Sequence, residues 1–515
     1  MQARATSPGH PHATTHRPGW GVTRLAGLLL TVLSVGALYF FSTGLDGFGP
    51  LVWIAPIPVL ILALNLPARP TAVIAFIAYL FGSFNLFSYL VNLAPIGVVI
   101  ASLVIPALAF TLAVLATRYA VLQSKHWGTL AVFPAVWTSY EYVLSVVSPH
   151  GTAGSLAYTQ TNFLPLIQVA SLTGIWGITF ILTLVPAGVA VAWHFRRDKR
   201  HAVPALVAPL VVGLLLVGYG WARLAQPIAG QPIRVGLATT DTTIHHFQTE
   251  QPDEALPVVQ AYARRIGELA AQGAGTVVLP EKFVGVTPGY RGEVLRILGE
   301  AAQQHSVTVV AGLNQIGPEE NRNIAVVFSP DGQVLAEYDK AYLIPGFESG
   351  YQPGTRPVEF SILGTTAGVA ICKDMDFPSW TAQYARAGAG ILFVPAWDFV
   401  RDGRLHARMA VVRGIEGGFA VVRSAQEGRV TVSDSLGRVL AEATSSSAPD
   451  VLVVSAVQPG PGHTFYSVRG DWFAWLMLLF LGLMLAGGAL RTVKTRTRYR
   501  HSCTCMYSDE ATIFN

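Results

Sequence analysis

The chain has 515 residues, of which 51% are hydrophobic and only 13% are charged. Soluble globular domains carry about 25% charged residues, so this composition excludes a single water-soluble globule. It also excludes an intrinsically disordered chain, which has low hydrophobicity and high net charge. The length corresponds to about three domains of ordinary size. We therefore expect several membrane spans together with a soluble domain.

Apolar segments recur in the first half of the chain and once near its end, and most have the roughly 20 residues that cross a bilayer as a helix. They occupy 25–43, 49–65, 71–93, 95–117, 128–147, 164–193, 202–222 and 472–490. We expect about eight spans. The predicted order is a polar leader (1–24), seven spans (25–223), a soluble domain (224–467), an eighth span (468–490) and a basic tail (491–515).

Basic residues are distributed unevenly around these spans. Fifteen Lys and Arg lie in the leader, the tail and the connections after even-numbered spans, whereas the connections near 44–48, 94 and 148–163 have none. By the positive-inside rule, both termini are predicted to be cytoplasmic. The soluble domain is then on the outer, periplasmic side of a bacterial inner (plasma) membrane. That domain has 18 Lys and Arg against 24 Asp and Glu, which excludes the basic surface of a nucleic-acid-binding domain.

Residues 231–457 alternate between apolar strand patterns and helical patterns. The predicted strands are 233–238, 275–280, 307–312, 323–329, 366–371 and 389–395, and the predicted helices include 253–272, 290–304 and 404–416. Nearly continuous apolar strands that alternate with helices are typical of a sheet covered on its faces. The soluble domain is therefore predicted to be α/β.

Three residues near the ends of predicted strands have the side chains of nucleophilic catalysis. Cys372 follows the apolar strand 367–371, Glu281 ends the strand 277–280, and Lys340 follows a predicted hairpin. A thiol is mostly protonated at neutral pH. A carboxylate can take its proton, and an ammonium can stabilise the oxyanion that forms. Taken singly, each residue has a commoner explanation as a buried cysteine, a loop glutamate or a surface lysine.

The other cysteines and the histidines suggest no further chemistry. Only Cys372, Cys503 and Cys505 are present, so a disulfide framework is excluded. We interpret the Cys503 and Cys505 pair in the basic tail as incidental. His245 and His246 have no third ligand at metal spacing. We expect no metal and no cofactor.

The spacing of these residues resembles the nitrilase superfamily of carbon–nitrogen hydrolases. The matching motifs are Pro-Glu at 280–281, Tyr-x-Lys at 338–340, Ile-Cys at 371–372 and Arg-Gly-Ile-Glu at 413–416. The resemblance implies an αββα sandwich. It also implies that Glu281 is the general base, Lys340 the oxyanion partner and Cys372 the nucleophile. Glu348 would be an additional glutamate on a mobile loop after the lysine.

The membrane spans narrow the resemblance to the apolipoprotein N-acyltransferase family. Trp137 and Glu141 resemble a W-x-x-x-E pattern in a span of that family, and an ionisable residue inside a span is usually functional. The resemblance implies an acyl transfer without a cofactor. The acyl chain leaves a phospholipid donor, forms a thioester with Cys372, and passes to the N-terminal amine of a diacylglyceryl-cysteine lipoprotein acceptor.

The chain departs from this family pattern near the nucleophile. Lys373 and Asp374 replace the usual Tyr-Glu, and Trp397 matches the later segment only loosely. We expect Glu348, Asp374, Lys373, Trp397 and Glu141 to bind substrate or support the centre. Two other functions stay open: a membrane-tethered amidase in which water is the second nucleophile, and a catalytically dead module that binds lipoproteins.

Overall fold

The computed structural model describes residues 21–240, 246–446 and 450–487. Cys503, Cys505, the basic tail 491–515 and most of the leader therefore lie outside the described residues. Within those residues the chain forms a helical membrane domain, an α/β domain and one further apolar helix.

Ten helices build the membrane domain. They are α1 (Val22–Ser42), α2 (Ile57–Ala63), α3 (Ala68–Ser83), α4 (Phe87–Leu90), α5 (Ile96–Ser124), α6 (Val132–Val147), α7 (Leu164–Ile167), α8 (Ala170–Thr173), α9 (Ile175–His194) and α10 (Lys199–Leu224). Among the residues that the structure describes, six helical segments are long and apolar enough to cross a membrane. These are Leu25–Ser42, Ala68–Leu90, Ile96–Ser124, Trp127–Val147, Ile175–His194 and Lys199–Leu224.

The expected count of about eight spans is not confirmed. The second apolar segment, 49–65, folds into a 3-10 turn (Gly49–Trp53) and the short α2, because Pro56 and Pro58 interrupt a continuous helix. The sixth segment is broken at Gly174, whose φ of 64° ends α8 before α9 begins. The last apolar helix, α16 (Trp472–Gly487), runs to the last described residue. Its described part is shorter than the six spanning segments.

In the described residues between α10 and α16 there are thirteen strands and five helices. The strands are β1 (Ile233–Thr240), β2 (Thr276–Val278), β3 (Gly285–Val286), β4 (Thr308–Gln315), β5 (Arg322–Phe328), β6 (Val334–Asp339), β7 (Val358–Ile362), β8 (Thr365–Val369), β9 (Ile391–Trp397), β10 (Ala420–Gln426), β11 (Arg429–Ser433), β12 (Val439–Thr444) and β13 (Asp450–Val457). The helices are α11 (Pro252–Ala271), α12 (Arg291–His305), α13 (Pro378–Arg386), α14 (Gly403–Gly417) and α15 (Phe465–Arg469).

The strands form two mixed sheets that pack face to face. The first has the order β13-β1-β2-β4-β5-β6, with β3 beside β4, and the second has the order β12-β11-β10-β9-β8-β7. Val235 of the first sheet and Ile391 of the second belong to one buried apolar cluster. Helices α11 and α12 cover the outside of the first sheet, and α13 and α14 cover the second. The predicted αββα sandwich is confirmed.

Helix α14 also packs against the membrane domain. Its Met409 and Ile415 share a buried cluster with Trp176 of α9. Arg413 donates a hydrogen bond to the Tyr158 hydroxyl over 2.7 Å, and Glu416 accepts one from the first backbone N–H of α9 over 2.9 Å. The two domains therefore share a buried seam that contains both apolar and charged contacts.

The close packing of α10 on α7 gives a first prediction. A Cβ atom at Gly220 would lie 1.7 Å from the Pro165 carbonyl oxygen, whereas one at Gly218 of the same helix would have no atom within 4 Å. Overpacking costs about 1–3 kcal/mol, so Gly220→Ala should lower the thermal unfolding midpoint in detergent. Gly218→Ala is the matched control and should keep or raise the midpoint, because alanine favours a helix. Equal midpoints for the two variants would contradict this packing.

Candidate active site

Glu281 lies just beyond β2 and is buried. Its Oε1 accepts hydrogen bonds from Lys340 Nζ over 2.8 Å and from Asn323 Nδ2 over 2.6 Å. Its Oε2 is also buried and has no hydrogen-bond partner among the described residues. One carboxylate oxygen is therefore held in place, while the other is free to accept a proton.

A glycine in the neighbouring strand permits this placement. A Cβ atom at Gly312 of β4 would lie 2.4 Å from the Pro280 carbonyl oxygen and 2.7 Å from the Glu281 Cα. Any larger residue at position 312 would push the Glu281 backbone away from β4. The position of the carboxylate thus depends on a residue without a side chain.

Lys340 directly follows β6 and is fully buried. Its Nζ donates to Glu281 and, over 2.9 Å, to Glu348 Oε2. Burial alone would lower the pKa of Lys340, but the charges of Glu281 and Glu348 outweigh it and hold the pKa well above its usual range. The side chain is therefore a buried ammonium at neutral pH.

A second lysine, which the sequence pattern does not reveal, completes the charge cluster. Lys282 donates to Glu348 Oε1 over 2.8 Å, and Asn323 donates to the same oxygen over 2.7 Å. The Lys282 ammonium also faces the Tyr351 ring at 5.2 Å. Burial raises the pKa of Glu348, yet Lys340 and Lys282 together bring it down to about 2. The one hint in the sequence is that Lys282 adjoins Glu281.

Cys372 begins the short 3-10 turn Cys372–Asp376, which follows β8. Its φ is 41°, a left-handed conformation that is unfavourable for a residue with a side chain. The thiol donates to the Trp397 carbonyl oxygen over 3.3 Å. Burial raises the pKa of Cys372 well above its usual range and Glu281 adds to this, while Lys340 and Arg423 oppose it. The resting thiol is therefore protonated, and attack requires a base.

Asp374 lies in the turn Cys372–Asp376, called the nucleophile turn after the role proposed for Cys372. Its carboxylate joins this turn to the segment after Lys340. Its Oδ1 accepts the backbone N–H groups of Ala341 and Tyr342, over 3.1 and 2.9 Å. Its Oδ2 accepts the Ile371 N–H over 2.8 Å and the Tyr338 hydroxyl over 2.7 Å. Burial raises the pKa of Asp374 to about 6, although the hydrogen bonds from Tyr338, Ile371 and Tyr342 oppose this shift.

Lys373 and Trp397 have different surroundings. Lys373 Nζ lies 3.2 Å from His150 Nδ1 of the membrane domain and 3.7 Å from Asp376 Oδ2. Trp397 supplies its carbonyl oxygen to Cys372, and its indole N–H donates to Glu427 over 3.1 Å. Lys373 thus faces the seam, whereas Trp397 contacts the thiol through its backbone.

Glu141 forms no hydrogen bond with the residues around Cys372 in the described part of the chain. It is buried in α6 and accepts four hydrogen bonds within the membrane domain. The donors are Trp137 Nε1, the Leu156 N–H, and the hydroxyls of Ser155 and Thr179, at 2.7–2.9 Å. Glu141 therefore holds the connection that contains Tyr158, which contacts the α/β domain.

Within the described parts of the chain, no group of three or more His, Cys, Asp and Glu side chains is arranged to hold a metal ion. The buried charged groups around Cys372 are paired with one another. This arrangement suits nucleophilic attack by a thiol, assisted by one carboxylate and one ammonium.

Two family models match the chain in succession. The model described as Apolipoprotein N-acyltransferase N-terminal domain matches residues 35–188, and Carbon-nitrogen hydrolase matches 243–461. An apolipoprotein N-acyltransferase from Geobacter metallireducens is 27% identical over 493 residues, which cover 87% of this chain and 92% of that protein. Over most of its length the chain is similar to the apolipoprotein N-acyltransferase family. The resemblance indicated by the sequence motifs is confirmed.

Other relatives match one or both parts of the chain. A family member from Gloeobacter violaceus is 27% identical over 361 residues, 64% of this chain and 67% of that protein. A deaminated glutathione amidase from Synechocystis sp. is 30% identical over 209 residues, 33% of this chain and 76% of that protein. Among solved structures, an amidase from Nesterenkonia sp. matches with a TM-score of 0.38 and 20% identity, covering 45% of this chain and 94% of that one.

The four hydrogen bonds to Asp374 predict that Asp374→Asn is destabilising. An amide has a single acceptor oxygen, so at least one buried donor then faces an NH₂ group, at a cost of about 1–3 kcal/mol. The thermal unfolding midpoint in detergent should fall. Asp331→Asn, in an exposed turn, is the control and should leave the midpoint unchanged. An Asp374→Asn protein as stable as the parent would show that these bonds contribute little.

Proposed function

We propose that the chain is a membrane N-acyltransferase. It moves a fatty acyl chain from a phospholipid, through a thioester on Cys372, to the N-terminal amine of a diacylglyceryl-cysteine lipoprotein. The observation that carries the proposal is one buried cluster that combines a thiol, a carboxylate with a free oxygen and an ammonium. Similarity to the N-acyltransferase family over most of the chain supports the same reaction.

In the first half-reaction, the unpartnered Oε2 of Glu281 takes the proton of the Cys372 thiol. The thiolate attacks the ester carbonyl of the phospholipid, and the Lys340 ammonium stabilises the oxyanion. The carbon–oxygen bond to the lysophospholipid then breaks, and Glu281 returns the proton to the leaving oxygen. The products are a Cys372 thioester and a lysophospholipid.

In the second half-reaction, the lipoprotein amine attacks the thioester carbonyl. Glu281 accepts a proton from the amine nitrogen as the carbon–nitrogen bond forms, and the carbon–sulfur bond breaks. The sulfur leaves as a thiolate and regains its proton from Glu281. An amide is formed, and the resting thiol is restored for the next cycle.

Apolar side chains near the centre support a lipid substrate. Phe347 adjoins Glu348 and is half-exposed, its ring centroid lies 5.0 Å from that of Phe399, and Val400 beside it is also half-exposed. The loop that contains Phe399 and Val400 also contacts the membrane domain, through a 2.5 Å hydrogen bond from Tyr89 to Asp402. An acyl chain could pass between the bilayer and Cys372 along this apolar surface without crossing open water.

The proposed orientation places the α/β domain on the outer face of the inner membrane, with both termini in the cytoplasm. The connection 148–163 has no Lys or Arg, and its Thr152 N–H donates to the Asp376 carbonyl of the α/β domain over 3.0 Å. The basic segments around Arg118 and Arg197 lie near the opposite ends of α6 and α9. The positive-inside rule assigns the basic ends to the cytoplasm.

The reaction predicts a covalent intermediate on one residue. After incubation with phospholipid, intact-mass and peptide mass spectrometry should find an acyl adduct on Cys372, which Cys372→Ala abolishes while the protein stays in the membrane. Full acyl transfer by Cys372→Ala would end the mechanism. Steady release of free fatty acid without an acceptor would instead indicate a hydrolase. A folded wild-type protein whose Cys372 accepts no acyl group would indicate a binding module.

Lys340→Arg tests the ammonium. A planar guanidinium is larger and cannot place one compact charge between Glu281 and Glu348, so thioester formation should fall about 10²- to 10³-fold, as for the loss of an oxyanion donor. The measurement is the rate of acyl-adduct formation, with unfolding midpoints to verify folding. Near-normal rates would show that the role of Lys340 is misassigned.

A further inference from the structure

A row of alternating charges lies along the seam beside the nucleophile turn. His406 Nδ1 is 3.5 Å from Asp376 Oδ1, and His406 Nε2 is 3.3 Å from Asp402 Oδ2. Asp376 also faces Lys373, and Asp402 accepts the hydrogen bond from Tyr89 of the membrane domain. Asp376 and Asp402 are both about 1% exposed. The imidazole is thus the only described side chain that forms an ion pair with both of these carboxylates.

The two carboxylates belong to the two segments that hold the reactive thiol. Asp376 ends the turn that Cys372 begins. Asp402 accepts the backbone N–H of Phe399 over 2.8 Å, in the loop directly after Trp397. The Trp397 carbonyl oxygen is the acceptor of the Cys372 thiol. His406 therefore connects the segment of the thiol to the segment of its hydrogen-bond acceptor.

The charge balance of the row depends on this imidazole. Burial lowers the pKa of His406, but Asp376 and Asp402 outweigh it and raise the pKa to about 10. His406 is therefore a cation at neutral pH. Neither oxygen of Asp376 has a hydrogen bond of good geometry, so this carboxylate depends on the nearby cations His406 and Lys373. Without the imidazolium, Asp402 would keep only the hydrogen bonds from Tyr89 and Phe399. Asp376 would keep only the Lys373 ammonium and the charge of Arg413.

We infer that His406 is a positioning residue for acyl transfer. By bridging Asp376 and Asp402 it keeps the Cys372 thiol against Trp397, and through Tyr89 it couples that geometry to the membrane domain. The inference rests on the proposed function for the identity of the substrates, but not for the position of the thiol. Small displacements of a reacting group cost up to about 10²-fold in rate, which sets the expected size of the effect.

The test compares His406→Gln with the parent, as full-length protein in detergent, on two acyl donors. One is a phospholipid, followed by the Cys372 adduct, and the other is p-nitrophenyl butyrate, followed by the burst of p-nitrophenol. We expect kcat for acylation to fall about 10²-fold with both donors while KM stays unchanged. His406→Arg restores a cation with two donor groups and should recover part of kcat.

Arg408→Gln is the matched control. Arg408 lies on the same helix, and its side chain pairs with Glu442 of β12, away from the nucleophile turn. Its loss should leave kcat unchanged. Tyr89→Phe keeps the ring but removes the hydrogen bond to Asp402, and it should lower kcat by less than His406→Gln. The double variant should be no slower than His406→Gln alone, because both changes act on one linkage.

Several results would overturn the inference. They are a normal kcat in folded His406→Gln, an equal loss in Arg408→Gln, or losses in His406→Gln and Tyr89→Phe that multiply in the double variant. If the ester burst follows the expected pattern while phospholipid forms no adduct with any variant, the proposed function fails and the positioning role stands. Tyr89→Phe removes only a hydroxyl, so its kcat tests the linkage even if His406→Gln does not fold.

Discussion

Two carboxylates and two ammonium groups share one buried volume beside the thiol, and the chemistry of the centre depends on their balance. Glu281 and Glu348 are the anions, and Lys340 and Lys282 are the cations. Removing one partner of a buried ion pair leaves an uncompensated charge, at a typical cost of 3–5 kcal/mol. Each of these charged groups therefore needs its partners to stay buried in this arrangement. The balance also keeps one oxygen of Glu281 free, since Lys340 and Asn323 occupy the other.

Helix α14 connects the α/β domain that holds this charge cluster to the membrane domain. One side of the helix covers the second sheet, and another packs Met409 and Ile415 into the membrane core. His406 and Arg413 on the same helix face the nucleophile turn and Tyr158, respectively. A shift of the membrane helices at the seam would thus move the walls of the thiol site. An enzyme whose donor arrives from the bilayer gains from such a rigid connection, because the reacting ester must meet the thiol in one geometry.

The sequence predicted those features that depend on local pattern. Glu281, Lys340 and Cys372 each stand at a strand end, and apolar runs reveal strand ends. Lys282 and His406 were missed as members of the centre, because their roles depend on distances between segments far apart in the chain. The count of about eight spans is not confirmed, because apolar composition does not reveal where a helix is interrupted, as at Pro56 and Pro58. Strands β7 and β12 were missed because they lie at sheet edges, half exposed, and lack continuous apolar runs.

The left-handed backbone at Cys372 has a consequence for the evolution of the chain. A residue with a Cβ atom is held there against its preference, by about 1–2 kcal/mol, and glycine alone adopts such a φ without cost. Replacing Cys372 with glycine would therefore relieve the backbone, but it would also remove the thiol that we propose as the nucleophile. Selection for turnover must continuously oppose selection for stability at that position. A lineage released from the need for activity should drift first towards glycine there.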